Sequence, residues 1–277
     1  MKEPYIFIND HLVPSSQASL LVSDLAIQRG YGVFDFLKAL DHRPIFAEEH
    51  LSRFFHSAQR LRLPIDKTKE ELYDTILLLI KKNNLPNSGI KFILTGGYSE
   101  DGYTLSKPNL VIMQSLLQLP APGAFEKGIR LISYPHQRQL PEAKSIDYLM
   151  AVWLQPFIQE KGADDVLYHK DEVISECPRS NFFIVTADDT VVTPTENILK
   201  GVIRGKVLNL AQKQFKTEER PVQLKEIWTA REAFITSTTK HVMPVVQLDG
   251  RTIGEGAPGK VSRWLNENLK TYLQTPL

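Results

Sequence analysis

The stretch Ser175-Glu176-Cys177-Pro178-Arg179-Ser180-Asn181-Phe182-Phe183 sets a carboxylate at the end of one apolar run and leads at once into another. Upstream, Val166 to His169 and Glu172 to Glu176 flank Lys170-Asp171, the pattern of a hairpin. Downstream, Phe182 to Val185 reads as a further strand, with a return strand after Asp188-Asp189. Glu176 therefore ends a strand in a β-rich region. Lys144 lies 32 positions earlier, after a strand at Ile129 to Ser133 and a polar loop. There it opens a helix predicted over Ser145 to Lys161, with Ala151, Leu154, Phe157 and Ile158 on one face and Gly162 as its stop.

Toward the N-terminus the pattern changes. Tyr5 to Ile8 followed by Asn9-Asp10-His11 predicts a hairpin, and Gly32 to Leu40 with Pro44 to Phe46 predicts a second around Asp41-His42-Arg43. Apolar residues recur at helical spacing from Glu48 to Leu63 and again at Leu72, Ile76, Leu79 and Ile80. Strands at Ile90 to Leu94 and Leu110 to Met113 enclose a loop from Gly96 to Tyr103. Hairpins packed on two helices make an α+β first domain over residues 1–118. Leu119-Pro120-Ala121-Pro122-Gly123 interrupts regular structure and opens a linker placed at 119–127. Residues 128–277 form the second domain, with helices over Val202 to Phe215 and Val261 to Tyr272 and a late hairpin at Asp249-Gly250.

Composition narrows the chemistry. The chain has 277 residues, 33 basic and 32 acidic, for a net charge of +1, so no bulk field recruits nucleic acid or an anionic membrane. Its histidines show no metal-ligand spacing, and no GxGxxG or phosphate-loop run follows a strand. The lone Cys177 suits a reducing compartment, and Lys2-Glu3-Pro4 follows Met1 in place of a long apolar segment, so a cytoplasmic location is expected. A small zwitterionic partner fits these facts. A lysine amine can hold an aldehyde cofactor covalently, and a carboxylate can keep a pyridine nitrogen protonated so that the ring accepts electrons. Lys144 and Glu176 are candidates for those two roles.

Six ordered segments agree with that chemistry. They are Gly30-Tyr31-Gly32-Val33-Phe34-Asp35, Glu49-His50-Leu51-Ser52-Arg53-Phe54, Lys144-Ser145-Ile146-Asp147, Ser175-Glu176 through Asn181-Phe182, Leu199-Lys200-Gly201-Val202-Ile203-Arg204 and Thr236-Ser237-Thr238-Thr239. Through them the chain resembles the class IV, or fold type IV, pyridoxal phosphate enzymes, which include D-amino-acid aminotransferases, branched-chain aminotransferases and aminodeoxychorismate lyases. The resemblance implies an α/β fold with an α+β first domain and a mixed α/β pseudo-barrel second domain. It also implies a cofactor held between the domains, and a homodimer.

Residue by residue, the resemblance gives Lys144 the covalent cofactor link and Glu176 the pyridine nitrogen. Arg53 matches the phosphate-binding arginine, a guanidinium fork suited to phosphate oxygens. Val202 and Ile203 follow Gly201 at a helix start, where unpaired backbone amides face an anion. Ser237, Thr238 and Thr239 complete the phosphate cup.

Substrate recognition departs from the better-known relatives. Typical D-amino-acid aminotransferases bind the substrate carboxylate with an arginine, and a histidine two residues later, in the loop after the Ile90 to Leu94 strand. Here those positions are Asp101 and Tyr103. The branched-chain enzymes' Tyr-x-Arg-Pro strand is also missing. Arg29 and Arg179 are the expected substitutes, with Tyr31 and Phe34 lining the pocket. The expected activity is transamination between a D-amino acid and a 2-oxo acid such as 2-oxoglutarate. Aminodeoxychorismate lyase, L-branched-chain transamination and a non-catalytic dimeric binding protein are the alternatives.

Overall fold

Period-two alternation near the N-terminus builds an antiparallel sheet. The structure, a computed structural model, describes residues 3–121 and 123–274, so Pro122 of the anticipated linker lies outside the described residues. In the first unit, β1 (Tyr5–Ile8) and β2 (His11–Pro14) precede α1 (Leu25–Arg29), β3 (Gly32–Leu40) and β4 (Arg43–Pro44). Two helices follow, α2 (Ala47–Arg60) and α3 (Lys69–Asn83), then β5 (Ser88–Thr95) and β6 (Leu110–Leu116). The sheet order is β2-β1-β6-β5-β3-β4. Alternate residues Val33, Leu37, Ile90, Phe92, Leu94 and Ile112 join Leu51, Phe54 and Ala58 of α2 in one buried cluster. Phe54 is fully buried and meets Phe92 edge-on at 5.3 Å; its truncation to alanine would cost roughly 3–5 kcal/mol. Thr68 and Glu71 close a reciprocal capping box on α3, and Asn84 ends that helix in the left-handed region.

The second unit begins with α4 (Ala124–Lys127), β7 (Ile129–Pro135), α5 (Leu149–Trp153) and α6 (Gln155–Glu160). It continues through β8 (Asp165–Lys170), β9 (Val173–Ile174), β10 (Glu176–Cys177), β11 (Ser180–Val185), β12 (Val191–Thr193), α7 (Val202–Ala211) and β13 (Thr217–Glu219). The chain closes with β14 (Glu232–Ser237), β15 (His241–Leu248), β16 (Arg251–Thr252) and α8 (Lys260–Gln274). Ten strands form one mixed sheet, ordered β13-β12-β11-β14-β15-β7-β8-β9, with β10 on β11 and β16 on β15. Its parallel pairs are β12 with β13, β15 with β7, and β7 with β8. The helices α7 and α8 pack on each other and on β14. No helix among the described residues is long and apolar enough to cross a membrane.

Two expectations about the Lys144 region need correction. The compact units are Met1–Gln118 with Ala143–Asp147, and Leu119–Glu142 with Tyr148–Leu277, so the Lys144 segment joins the first unit and not residues 128–277. Nor does Lys144 open a helix. β4 pairs β3 only at Ala39 and Leu40, which leaves the Gly32 end of that strand edge to be satisfied otherwise. Residues 144–146 do this: Phe34 N–H donates to the Lys144 carbonyl at 2.9 Å, Ile146 N–H donates to the Gly32 carbonyl at 3.0 Å, and Ser145 bridges Val33. The predicted single helix is two short ones parted at Leu154. Pro156, in the first turn of α6, lacks the N–H a continuous helix needs.

Candidate active site

In the first unit the backbone of Lys144 is tied at both ends. Its N–H donates to Ser57 Oγ on α2 at 3.0 Å, while its carbonyl accepts from Phe34. Its Nζ lies 4.6 Å from the centre of the Phe34 ring. A second ammonium, Lys91 Nζ on β5, lies 4.9 Å from the same ring. Burial pushes the Lys91 ammonium below its ordinary pKa. Tyr31 donates its hydroxyl to the Leu61 carbonyl at 2.7 Å, which fixes the ring against the end of α2.

Arg53 is held by a carboxylate that sequence reading did not assign to it. Its Nε donates to Asp35 Oδ2 at 2.7 Å and its Nη2 to Oδ1 at 2.8 Å, a bidentate fork. His50 Nδ1 lies 2.8 Å from the same Oδ1, and the Phe36 amide donates to it at 2.7 Å. Burial alone would raise the Asp35 pKa, but the Arg53 charge and the Arg53 and His50 hydrogen bonds hold it well below the carboxylate range. For His50 burial is the largest influence, and it lowers the pKa despite Asp35. The ring is thus neutral near pH 7, with Nδ1 donating to Asp35; its buried Nε2 has no hydrogen-bond partner among the described residues. One edge of Arg53 is committed to Asp35, which fixes the direction of the other.

Arg29 is the last residue of α1, a helix capped by Asp24, whose carboxylate accepts from Ala26 N–H at 2.8 Å, and ended by Gly30 at φ 63°. Its guanidinium is exposed and donates to the Gln28 carbonyl at 2.9 Å. The 99–104 loop runs beside it: a side chain added at Gly102 would come within 3.6 Å of Arg29 Nη2. Asp101 is inward-committed within that loop. Its carboxylate accepts from Ser99 Oγ at 2.9 Å, Tyr103 N–H at 2.9 Å, Thr104 N–H at 2.7 Å and Thr104 Oγ1 at 2.7 Å. These donors, the Thr104 amide foremost, hold its pKa well below the carboxylate range.

In the second unit Glu176 is buried at the start of β10. Its Oε1 accepts from Arg138 Nη1 at 3.0 Å, and its Oε2 from Asn181 Nδ2 at 3.2 Å and Leu199 N–H at 3.0 Å. Arg138 and Asn181 carry this arrangement and were not singled out by sequence reading. Arg138 stands in a loop with no periodicity to mark it, whereas Asn181 falls inside a recognisable segment. Val202 and Ile203 open α7 behind Gly201, with no side chain capping the helix. Ser237 ends β14, and Thr238 and Thr239 form the following turn; Ser237 Oγ accepts from Lys240 N–H at 3.1 Å. Arg179 is exposed in the Pro178-Arg179 turn between β10 and β11. Lys144, Arg53, Arg29, Tyr31 and Phe34 thus belong to the first unit, and Glu176, Arg179, Val202, Ile203 and Ser237 to Thr239 to the second.

The donor set suits pyridoxal phosphate. A buried carboxylate beside an arginine can face a protonated ring nitrogen. A side chain at Gly201 would run into Asn181 Oδ1 and displace that amide, and no side chain caps the helix start that follows, whose amides favour an anion. The buried Thr236 Oγ1, one residue before Ser237, has no partner among the described residues.

The sequence pattern of the family described as amino-transferase class IV matches residues 32–248. The D-alanine aminotransferase of Staphylococcus haemolyticus is 28% identical over 98% of this chain and 98% of its own. Branched-chain-amino-acid aminotransferase-like protein 2 of Arabidopsis thaliana is 30% identical over 95% of this chain and 49% of its own. Among solved structures, the branched-chain amino acid aminotransferase of Escherichia coli superposes with a TM-score of 0.91 at 23% identity, covering 98% of this chain and 95% of that one. The branched-chain aminotransferase of Thermoproteus uzoniensis, solved with norvaline, gives 0.88 at 20% identity, covering 98% and 95%. Both likenesses show the type IV fold, in which the ten-stranded mixed sheet is the pseudo-barrel. The chain belongs to the class IV aminotransferase family, whose members use pyridoxal phosphate.

Proposed function

We propose that this aminotransferase exchanges the amino group between a D-amino acid and a 2-oxo acid such as 2-oxoglutarate in alternating half-reactions, as a cytoplasmic homodimer. The supporting observation is that Asp101 is committed within its own loop, its carboxylate spent on loop amides and hydroxyls, while the exposed guanidinium of Arg29 stands beside that loop. The cation missing from the loop is thereby offered from the neighbouring helix end. Arg179 supplies a second cation, so that mono- and dicarboxylic substrates are both accommodated. Tyr31 and Phe34 line the substrate pocket.

Pyridoxal phosphate, when bound, supplies an electron-accepting ring. Lys144 would hold it covalently through Nζ and, as a free neutral amine, would accept the proton from the substrate α-carbon. Glu176, beside Arg138, would partner the ring nitrogen. Arg53, oriented by Asp35, would bind the phosphate, as would the Val202 and Ile203 amides and the donors of Ser237, Thr238 and Thr239.

A panel of D- and L-amino acids in single half-reactions, followed by loss of the cofactor absorption band, tests this reading. Conversion by D-alanine and D-glutamate without conversion by L-leucine is expected. Conversion by L-leucine alone would replace it with branched-chain transamination, and pyruvate release from aminodeoxychorismate would replace it with lyase activity.

A further inference from the structure

The second unit contains a side chain that joins two parts of the cofactor site without belonging to either. Asn181 sits on β11 opposite Glu176 of β10 and Thr236 of β14. Opposed residues on paired strands share a sheet face, so the three side chains form one row. The Asn181 amide is 5% exposed, and its Nδ2 makes two contacts: 3.2 Å to Glu176 Oε2 and 2.7 Å to the Leu199 carbonyl. Leu199 N–H donates to the same Oε2 at 3.0 Å, which closes a ring of hydrogen bonds between Glu176, Asn181 and Leu199. On its other side, Asn181 Oδ1 occupies the space where Gly201 would carry a side chain. Two residues after Leu199, Gly201 caps α7, so the same amide touches the carboxylate and the loop that sets the helix start.

We infer that Asn181 is a positioning residue: it locks the Glu176 carboxylate to the Leu199–Gly201 loop, keeping that carboxylate a weak base and fixing its spacing from the Val202 and Ile203 amides. The inference rests on the reading that Glu176 partners the ring nitrogen. The physical chain is short. Each hydrogen bond donated to a carboxylate favours its charged form, so removing one raises its proton affinity. A lone hydrogen bond to a charged group is worth enough to shift a proton equilibrium by about tenfold or more. With Nδ2 gone, the proton shared between ring nitrogen and Glu176 moves toward the carboxylate.

The test uses holoenzyme reconstituted with pyridoxal phosphate carrying nitrogen-15 in the ring, with Asn181→Ala, Asn181→Ser and Glu176→Gln beside the parent. The ring-nitrogen chemical shift should report a protonated nitrogen in the parent and an unprotonated one in Glu176→Gln. Asn181→Ala should lie between them, with kcat reduced about tenfold and little change in KM; Asn181→Ser, too short to span both acceptors, should behave alike. If both Asn181 variants load cofactor and keep the parent shift while Glu176→Gln departs from it, the positioning role is overturned. If Glu176→Gln itself keeps the parent shift, the reading of Glu176 falls instead. Should Asn181→Ala fail to fold, the serine variant decides between these outcomes.

Discussion

Two buried carboxylates, one in each unit, are handled in opposite ways. Asp35 is fully buried and takes the bidentate fork of Arg53, the imidazole of His50 and the Phe36 amide. Glu176 takes one arginine contact at Oε1 and two neutral donors at Oε2. In the first case the carboxylate serves a neighbouring cation, whose direction it fixes; in the second the cation serves the carboxylate, whose charge it secures. The same two residue types, a buried acid and an arginine, thus reverse their roles, and the kind of donor on each acid is what tells them apart: a bidentate fork with His50 on Asp35, and neutral donors beside Arg138 on Glu176.

Neutralising each acid in turn should separate the two roles. Asp35→Asn strands the Arg53 charge in the interior and should destabilise the protein by about 3–5 kcal/mol, read by urea unfolding. Glu176→Gln should cost less stability, because the Asn181 and Leu199 donors still satisfy its oxygen, but most turnover should vanish. The pH dependence follows from the Asp35 shift. Its folded pKa lies below the ordinary value of about 3.9, so its contribution is present above that pH and is lost as pH falls through the folded value. Asp35→Asn should therefore flatten the acid limb of the stability curve. Equal stability losses and equal activity losses in the two variants would erase the distinction.

Arg53 tests the first carboxylate from its other side. Arg53→Ala should weaken cofactor retention more than it alters the chemical step, with partial rescue by excess pyridoxal phosphate. Equilibrium dialysis of the cofactor checks this, and an unchanged affinity would assign Arg53 to pure structure. Lys144→Ala provides the reference point: turnover should be abolished, and borohydride should label Lys144 in the parent alone.

The same contrast shows what the sequence could carry. Arg53, Lys144 and Glu176 stand in local segments whose residue types announce their chemistry. The partner roles of Asp35, although it ends one of those segments, and of Arg138 are not announced, because they lie 18 and 38 positions from the groups they serve and are brought in by tertiary pairing. Lys144 illustrates the loss most clearly. Apolar spacing after it reads as a helix, but its carbonyl is captured by Phe34, far away in sequence, and the edge pairing wins over local propensity. Pro156 was visible and marks the break between α5 and α6. Within the first unit, helix spacing located α2 and α3 well, since their buried faces rest on one continuous core.

Arg29 and Arg179 lie at the surface of their respective units, unlike the half-buried arginines beside Asp35 and Glu176. Substitution of either by alanine should leave cofactor binding intact and raise the D-amino-acid concentration needed for half-conversion. Water can stand in for an exposed guanidinium, so each loss should be small, about 1 kcal/mol or less, and Arg→Lys should recover part of it. If both alanine variants used D-glutamate and D-alanine at parent efficiency, the two-arginine carboxylate site would be abandoned.

The smallest effect is expected at Asp101, a third carboxylate that is neither buried nor paired with an arginine among the described residues. Sequence comparison makes it a repulsive stand-in for a lost arginine, and on that view its removal would help substrate binding. Its surroundings give it a different role, since four donors from Ser99, Tyr103 and Thr104 converge on it and close the loop beside Arg29. Asp101→Ala should therefore leave the global unfolding midpoint nearly unchanged, since an exposed loop contributes little to the core. It should speed amide exchange chiefly at Thr104, whose N–H loses its Asp101 acceptor, and less at Tyr103, whose N–H also reaches Ser99 Oγ at 3.2 Å, and raise the substrate concentration for half-conversion slightly as the loop loosens. Asp101→Asn, which keeps an acceptor oxygen, should restore part of the protection. Improved D-amino-acid binding in Asp101→Ala with unaltered exchange would show that charge repulsion, and not loop closure, is what this carboxylate contributes.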